Sequence, residues 1–248
     1  MKNLIFDMGG VLIRYDPEYF LTREGVLDPS DRELLMKTVF HSPEWAMMDM
    51  GSLDEAGMEP IAFAKLPSRF HDAAHSLIFD WNKPLEPVSG MADFIRDCKE
   101  KGYGIYLLSN ASTMQPTYWH DIPGSEYFDG VVISAFEKCV KPQPEIFRIL
   151  LDRFNLRAED CIFIDDMQPN VVGAEAVGIK GVRFTGDTVE LKETIWTLCE
   201  RAGYRDEHLR ESSFQAGGGA GGWKDAAHRG RLLSVEKAGN RTYRHEGG

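Results

Sequence analysis

The sequence predicts an α/β protein: a doubly wound parallel sheet with a small α-helical segment inserted after the first strand. Three observations carry this. The runs Ile105-Tyr106-Leu107-Leu108, Val131-Val132-Ile133, Cys161-Ile162-Phe163-Ile164 and Gly181-Val182-Arg183-Phe184 alternate with segments whose apolar residues recur at helical spacing, the pattern of a parallel sheet. The opening run Leu4-Ile5-Phe6-Asp7-Met8-Gly9-Gly10-Val11-Leu12 is apolar on both faces, as a buried parallel strand must be. Between these two parts, residues 15–86 carry helix signals and no such run.

Taken in order, the first strand ends in an aspartate and two glycines. Carboxyl ends of parallel strands are where such sheets place ligands, and glycines let main-chain amides approach closely. Asp7 therefore stands at a mouth suited to phosphate. In the insertion, Asp28-Pro29-Ser30-Asp31 marks a helix start ahead of Leu34, Leu35, Val39 and Phe40, and Ser52-Leu53-Asp54-Glu55 resembles a capping box. Trp45, Met47, Met48 and Trp81 form a stripe that reads as the core of this helical part, with pocket lining as the alternative.

From Pro87 the alternation begins. Ser89 is placed to cap a helix carrying Met91, Phe94, Ile95 and Cys98, which stops at Gly102, and the next strand ends in Ser109-Asn110. Lys141-Pro142-Gln143-Pro144 leads into a helix with Ile146, Phe147, Leu150, Leu151 and Phe154 on its inner side, Pro144 suiting the first helical position. The following strand ends in Asp165-Asp166, and a helix through Val171 to Val177 stops at Gly178. The domains expected are a core of residues 1–14 and 87–200, a helical part at 15–86, and a tail at 201–248. That tail carries +3 where the first 200 residues carry −14, and it contains Gly217-Gly218-Gly219-Ala220-Gly221-Gly222. Too few apolar residues are present to offset roughly 1 to 2 kcal/mol of backbone entropy per residue, so the tail reads as disordered.

Composition excludes several classes. A net charge of −11 and a pI near 5.1 argue against nucleic acid or an anionic membrane as partner. Cys98, Cys139, Cys161 and Cys199 lie far apart with no CxxC pair, which suits reduced core cysteines and a cytoplasmic protein. The amino end is broken by Asp7 and Arg14 and lacks a cleavage site, so it reads as neither signal peptide nor spanning helix.

Three strand ends thus present Asp7, Ser109-Asn110 and Asp165-Asp166, and a helix start presents Lys141. Carboxylates gathered at one mouth repel unless a cation compensates them, and an all-oxygen set favours Mg²⁺. A lysine and a hydroxyl beside them suit a phosphate.

With these residues in place, the chain resembles the haloacid dehalogenase superfamily across about residues 1 to 200, through FDMGGV from Phe6, LLSNA from Leu107, VKPQPEIF from Val140 and IDDMQPNVVGA from Ile164. The resemblance implies a Rossmann-like core with a helical cap at 15–86, and a Mg²⁺-dependent phosphatase of a small phosphorylated metabolite acting through an aspartyl-phosphate. By matching position it implies Asp7 as nucleophile, Ser109 and Asn110 on the phosphoryl group, and Lys141 as the neutralising cation. It also implies Asp7, Asp166 and the Gly9 carbonyl around the metal, with Asp165 beside them.

Gly9 is a departure, because members of the family usually carry a second aspartate there as the acid for the leaving oxygen. General acid catalysis is worth roughly 10² to 10⁴ in rate. Its absence points to a substrate whose leaving group tolerates negative charge, a sugar 1-phosphate first, or else to a degenerate member that binds phosphate or a partner without turnover. Gln143 and Asn170 likewise stand where acids are common. A signalling receiver domain joins similar groups in the opposite order and without an insertion, and a dehalogenase needs no Asp165-Asp166 pair. Oligomeric state is not legible.

Overall fold

The computed structural model describes residues 2–200, which lie within one compact unit; the Gly-rich tail falls outside the described residues. Five parallel strands, β1 (Asn3–Phe6), β2 (Gly104–Ser109), β3 (Gly130–Ile133), β4 (Cys161–Asp165) and β5 (Lys180–Arg183), form one sheet in the order β3-β2-β1-β4-β5. The doubly wound class is as the apolar runs predicted.

Side-chain alternation explains why both faces are covered. Leu4 and Phe6 of β1, with Ile105, Leu107, Ile162 and Ile164, pack into one core; Ile5, Leu108 and Phe163 pack into another on the opposite face. Helix α6 (Met91–Glu100) and a helical stretch at 188–200 cover the first face through Phe94, Ile95, Leu191 and Ile195. Helices α8 (Pro144–Arg153) and α9 (Gln168–Ala176) cover the second through Ile146, Phe147, Leu150 and Ala174. A short turn of helix, α7 (Ser134–Glu137), follows β3. Each fully buried side chain of this kind contributes roughly 1.5 to 3 kcal/mol.

Register then fixes the working edge. Phe6 lies opposite both Leu107 and Ile164, so the ends of β1, β2 and β4 stand abreast and bring Asp7, Ser109 and Asp165 to one edge. The first strand is shorter than its apolar run: it ends at Phe6, and the Met8 carbonyl collects the amides of Val11, Leu12 and Ile13 at 3.3, 2.8 and 3.1 Å in a tight turn. Val11, Leu12 and Ile13 are apolar because that turn is buried.

Helices α1 (Pro17–Arg23), α2 (Pro29–Thr38), α3 (Pro43–Asp49), α4 (Glu55–Lys65) and α5 (His71–Phe79) fall between β1 and β2, inside the segment expected to be helical. Asp16-Pro17, Asp28-Pro29 and Ser42-Pro43 start the first three, each cap side chain accepting a main-chain N–H and each proline taking the first turn, where its missing donor costs nothing. Chain leaves and re-enters the core side by side: Arg14 N–H donates to the Glu86 carbonyl (2.8 Å) and Val88 N–H to the Leu12 carbonyl (2.9 Å).

Two expected caps are replaced by neighbours. Asp54, not Ser52, caps α4 by accepting from Gly57 N–H at 2.8 Å, while the Ser52 hydroxyl donates to the Met47 carbonyl. Gly90 in the left-handed region (φ 75°), not Ser89, precedes α6, and the Ser89 carbonyl accepts from Thr188. Among the described residues no helix is long and apolar enough to cross a membrane.

Candidate active site

Lys141 is the electrostatic centre of the sheet edge. Its ammonium, 3% exposed as a residue, lies 2.7 Å from Asp7 Oδ1 and 2.8 Å from Asp165 Oδ2. Burial opposes that charge, but the two carboxylates outweigh it and hold the ammonium pKa above its ordinary value. Asp7 Oδ1 also accepts the Met8 amide at 2.7 Å. Burial nevertheless raises the Asp7 carboxyl, with Lys141 pulling down and the Asp165 charge adding to the rise.

Asp165 is fully buried and saturated. Its Oδ1 accepts from Met167 N–H (2.8 Å), its Oδ2 from Lys141, and Asn170 Nδ2 sits 3.1 Å from both oxygens. Asn170 is thus the clamp that orients Asp165, a role that an amide fills where a third carboxylate would repel. Asn110 is similarly occupied: its Oδ1 accepts Lys141 N–H at 2.8 Å and its Nδ2 donates to the Lys141 carbonyl at 3.0 Å. Expected on the phosphoryl group, the amide here chiefly fixes the lysine's backbone. Ser109 is buried at the strand end, 3.5 Å from the Asn110 carbonyl. Gln143, the other departure noted in the sequence, accepts the Val140 amide at 3.1 Å.

Asp7, Asp165 and Asp166 each bring a carboxylate oxygen within 4.8 Å of the others. Burial, and next to it the charge on Asp165, raises the Asp166 carboxyl, the expected strain of a cluster that a cation would relieve. Gly10 makes the cluster sterically feasible, because at φ +77° a Cβ there would lie 2.5 Å from Asp166 Oδ2. Gly9 has no such φ, and a Cβ built on it would meet the Tyr15 Cβ at 3.2 Å.

Above this edge opens a cavity of about 430 Å³. Asp7, Gly9, Asn110, Lys141 and Asp166 line its floor. Tyr15, Trp45, Met48, Ile78, Trp81 and Tyr118 line its wall, with Tyr15 edge-on to Trp81 at 5.3 Å and Trp81 edge-on to Tyr118 at 6.0 Å. The Trp and Met stripe is therefore both core and wall: Met48 and Trp81 are buried in the core with Trp45 packed against it, all three line the cavity, and Met47 is exposed. Two acids from the helical segment also reach it. Glu55 accepts the Ser112 hydroxyl, and burial pushes the Asp49 carboxyl up to about 7, Lys141 lowering it and Glu55 raising it further. Sequence reasoning missed both, because a lone acid inside an amphipathic segment carries no spacing signal.

Comparison with other proteins adds a family to this geometry. A family model described as haloacid dehalogenase-like hydrolase matches residues 1–178. The chain is 26% identical over 191 residues to a sesquiterpene phosphatase of Aspergillus oryzae, covering 74% of this chain and 90% of that protein. It is 23% identical over 184 residues to a fructose-1-phosphate phosphatase of Escherichia coli, covering 73% and 94%. Among solved structures, an enzyme of the same family from Bacteroides thetaiotaomicron, in complex with magnesium and inorganic phosphate, has the same fold, with TM-score 0.62 at 24% identity over 77% of this chain and 98% of that one.

Proposed function

This chain belongs to the haloacid dehalogenase-like hydrolases, and on that premise we propose that it is a Mg²⁺-dependent phosphatase of a small phosphorylated metabolite, acting through an aspartyl-phosphate on Asp7. The observation that carries this is the ion-paired edge, where Lys141 bridges Asp7 at 2.7 Å and Asp165 at 2.8 Å on a cavity floor shared with Asp166. The residues fit Mg²⁺: Asp7 and Asp166 bring carboxylate oxygens within 4.8 Å of one another beside the Lys141-bound Asp165, and Gly10 leaves the room that a side chain would fill. Asp7, Asp166 and the Gly9 carbonyl would hold the ion, with Asp165 anchoring Lys141 behind them. Bound there, Mg²⁺ neutralises charge on the phosphoryl oxygens.

In this reading Asp7 Oδ2 attacks phosphorus, since Oδ1 is held by Lys141 and the Met8 amide. Lys141 stays protonated and stabilises charge on the equatorial oxygens, where positioning and neutralisation do most of the work of phosphoryl transfer. Ser109, and Asn110 through its grip on Lys141, complete the phosphate end. Cytoplasmic action fits the four free cysteines.

Substrate class rests on two features. Gly9 supplies no acid, which favours a sugar 1-phosphate, and the Escherichia coli relative bears the name of a sugar 1-phosphate phosphatase. The aromatic wall favours an organic group with an apolar face, a hydrocarbon or the flat side of a sugar ring, and the Aspergillus oryzae relative is named for a sesquiterpene. Phosphate release should be measured over matched sugar 1- and 6-phosphates and a prenyl monophosphate, with and without Mg²⁺. Activity that needs both Mg²⁺ and Asp7 supports the proposal; phosphate binding without release by any ester would support the non-catalytic alternative instead.

A further inference from the structure

Resting on the phosphatase reading, we infer that Asp49, at the end of α3, protonates the departing oxygen and so takes the place that Gly9 leaves empty. The cavity itself narrows the choice. Its ionisable groups are Asp7, Asp166, Lys141, Tyr15, Tyr118, Glu55 and Asp49. The first two belong to the nucleophile and metal cluster, and Lys141 is held by two carboxylates. Burial drives the Tyr15 and Tyr118 phenols far above neutrality, too weakly acidic to match a departing alkoxide near pH 7. Glu55 already accepts the Ser112 hydroxyl. Asp49 is left, lining the same cavity as Gly9 and Asp7 together with Trp45, Met48 and Tyr15, and close enough to feel the Lys141 charge.

Burial and two neighbouring charges explain its state. Desolvation disfavours the carboxylate, Glu55 from α4 adds to that and Lys141 from the floor opposes it; on the α7 side, the Lys138 ammonium is taken up by the Gly51 carbonyl. A carboxylic acid that holds its proton up to about pH 7 is suited to donate near neutrality.

The step balances. Asp7 Oδ2 forms a bond to phosphorus, the phosphorus–oxygen bond to the organic group breaks, and its electron pair goes to the departing oxygen, which takes the Asp49 proton and leaves as the alcohol. Asp49, now a carboxylate, accepts a proton from the water that attacks the aspartyl-phosphate, releasing inorganic phosphate and restoring both carboxyl groups.

The experiment measures kcat/KM of wild type and Asp49→Asn for 4-nitrophenyl phosphate, which needs no acid, and for a simple alkyl phosphate, which does. The alkyl ester should lose roughly 10² to 10⁴ in the variant, and at least tenfold more than the nitrophenyl ester loses. In unaltered enzyme, kcat/KM for the alkyl ester should fall as pH rises through about 7, and that alkaline limb should vanish for the nitrophenyl ester. Equal losses on both esters, no loss on either, or an identical alkaline limb for both would overturn the assignment. A wild-type enzyme inactive on every ester would instead remove the phosphatase reading on which it rests.

Discussion

The floor and the wall of the cavity bury their acids in different company. On the floor, Lys141, Asp7, Asp165 and Asn170 are buried and bonded to one another at 2.7 to 3.1 Å, so charge is matched by charge. On the wall, Asp49 shares the lining with aromatic side chains, and burial raises its carboxyl to about 7. A paired network holds its groups in place even though burial raises the Asp7 carboxyl, and fixed groups suit a nucleophile and a phosphate. An unmatched acid keeps a mobile proton, which suits a leaving group. In the proposed mechanism phosphate chemistry falls to the sheet edge and leaving-group chemistry to the helical insertion.

Substitutions on the floor should have the largest effects. Asp7→Asn should lower kcat by roughly 10⁴ to 10⁶, the scale on which a lost nucleophile acts, while far-ultraviolet circular dichroism stays unchanged. Lys141→Ala removes the partner of two buried carboxylates and should cost about 3 to 5 kcal/mol in denaturant unfolding, besides lowering kcat/KM. If that variant unfolded at the wild-type midpoint, the floor would not be a matched network.

The wall should behave otherwise. The Asp49 pKa is raised in the folded state, so the penalty of ionising it is absent below its unfolded value near 3.8, grows as pH rises, and is complete above about 7. Asp49→Asn removes that penalty and should therefore raise Tm at pH 8, by roughly 2 to 4 °C per kcal/mol recovered, with almost no change at pH 4. A gain of the same size at both pH values would show that Asp49 is not held in an apolar setting. Adjacent methionines on the same helix contrast in packing: Met48→Ala, 2% exposed, should cost roughly 2 to 5 kcal/mol, and Met47→Ala, 42% exposed, less than about 0.5 kcal/mol, the smallest effect of all.

The same contrast explains what the sequence made legible. Floor residues stand at strand ends and helix starts, where a break from an apolar run to Asp7, Ser109 or Asp165 marks the position, and parallel register then brings them together. The fold was legible for the same reason, since runs apolar on both faces have few alternatives to a covered parallel sheet. Wall residues carry no such mark. Asp49, Glu55 and Tyr15 acquire their roles only when α1 to α5 pack over the sheet, and Trp45 and Met48 look like core at helical spacing because most of such a stripe is core. Asn110 and Asn170 lay in view at the right strand and helix, but that their amides hold Lys141 and Asp165 follows from the three-dimensional turn and not from spacing. Cap identity failed at Ser52 and Ser89 by one or two residues, because several local acceptors and glycines competed for the same turn.

At the centre of the proposed division between floor and wall is a covalent step on Asp7, and trapping that intermediate tests it most directly. Enzyme mixed with Mg²⁺ and an excess of a hydrolysed aryl phosphate, then quenched in acid within the first turnover, should carry a phosphoryl group on the peptide containing Asp7, released by hydroxylamine and missing from Asp7→Asn. Rapid phosphate release by wild type with no such adduct, or an adduct on a different side chain, would contradict the account.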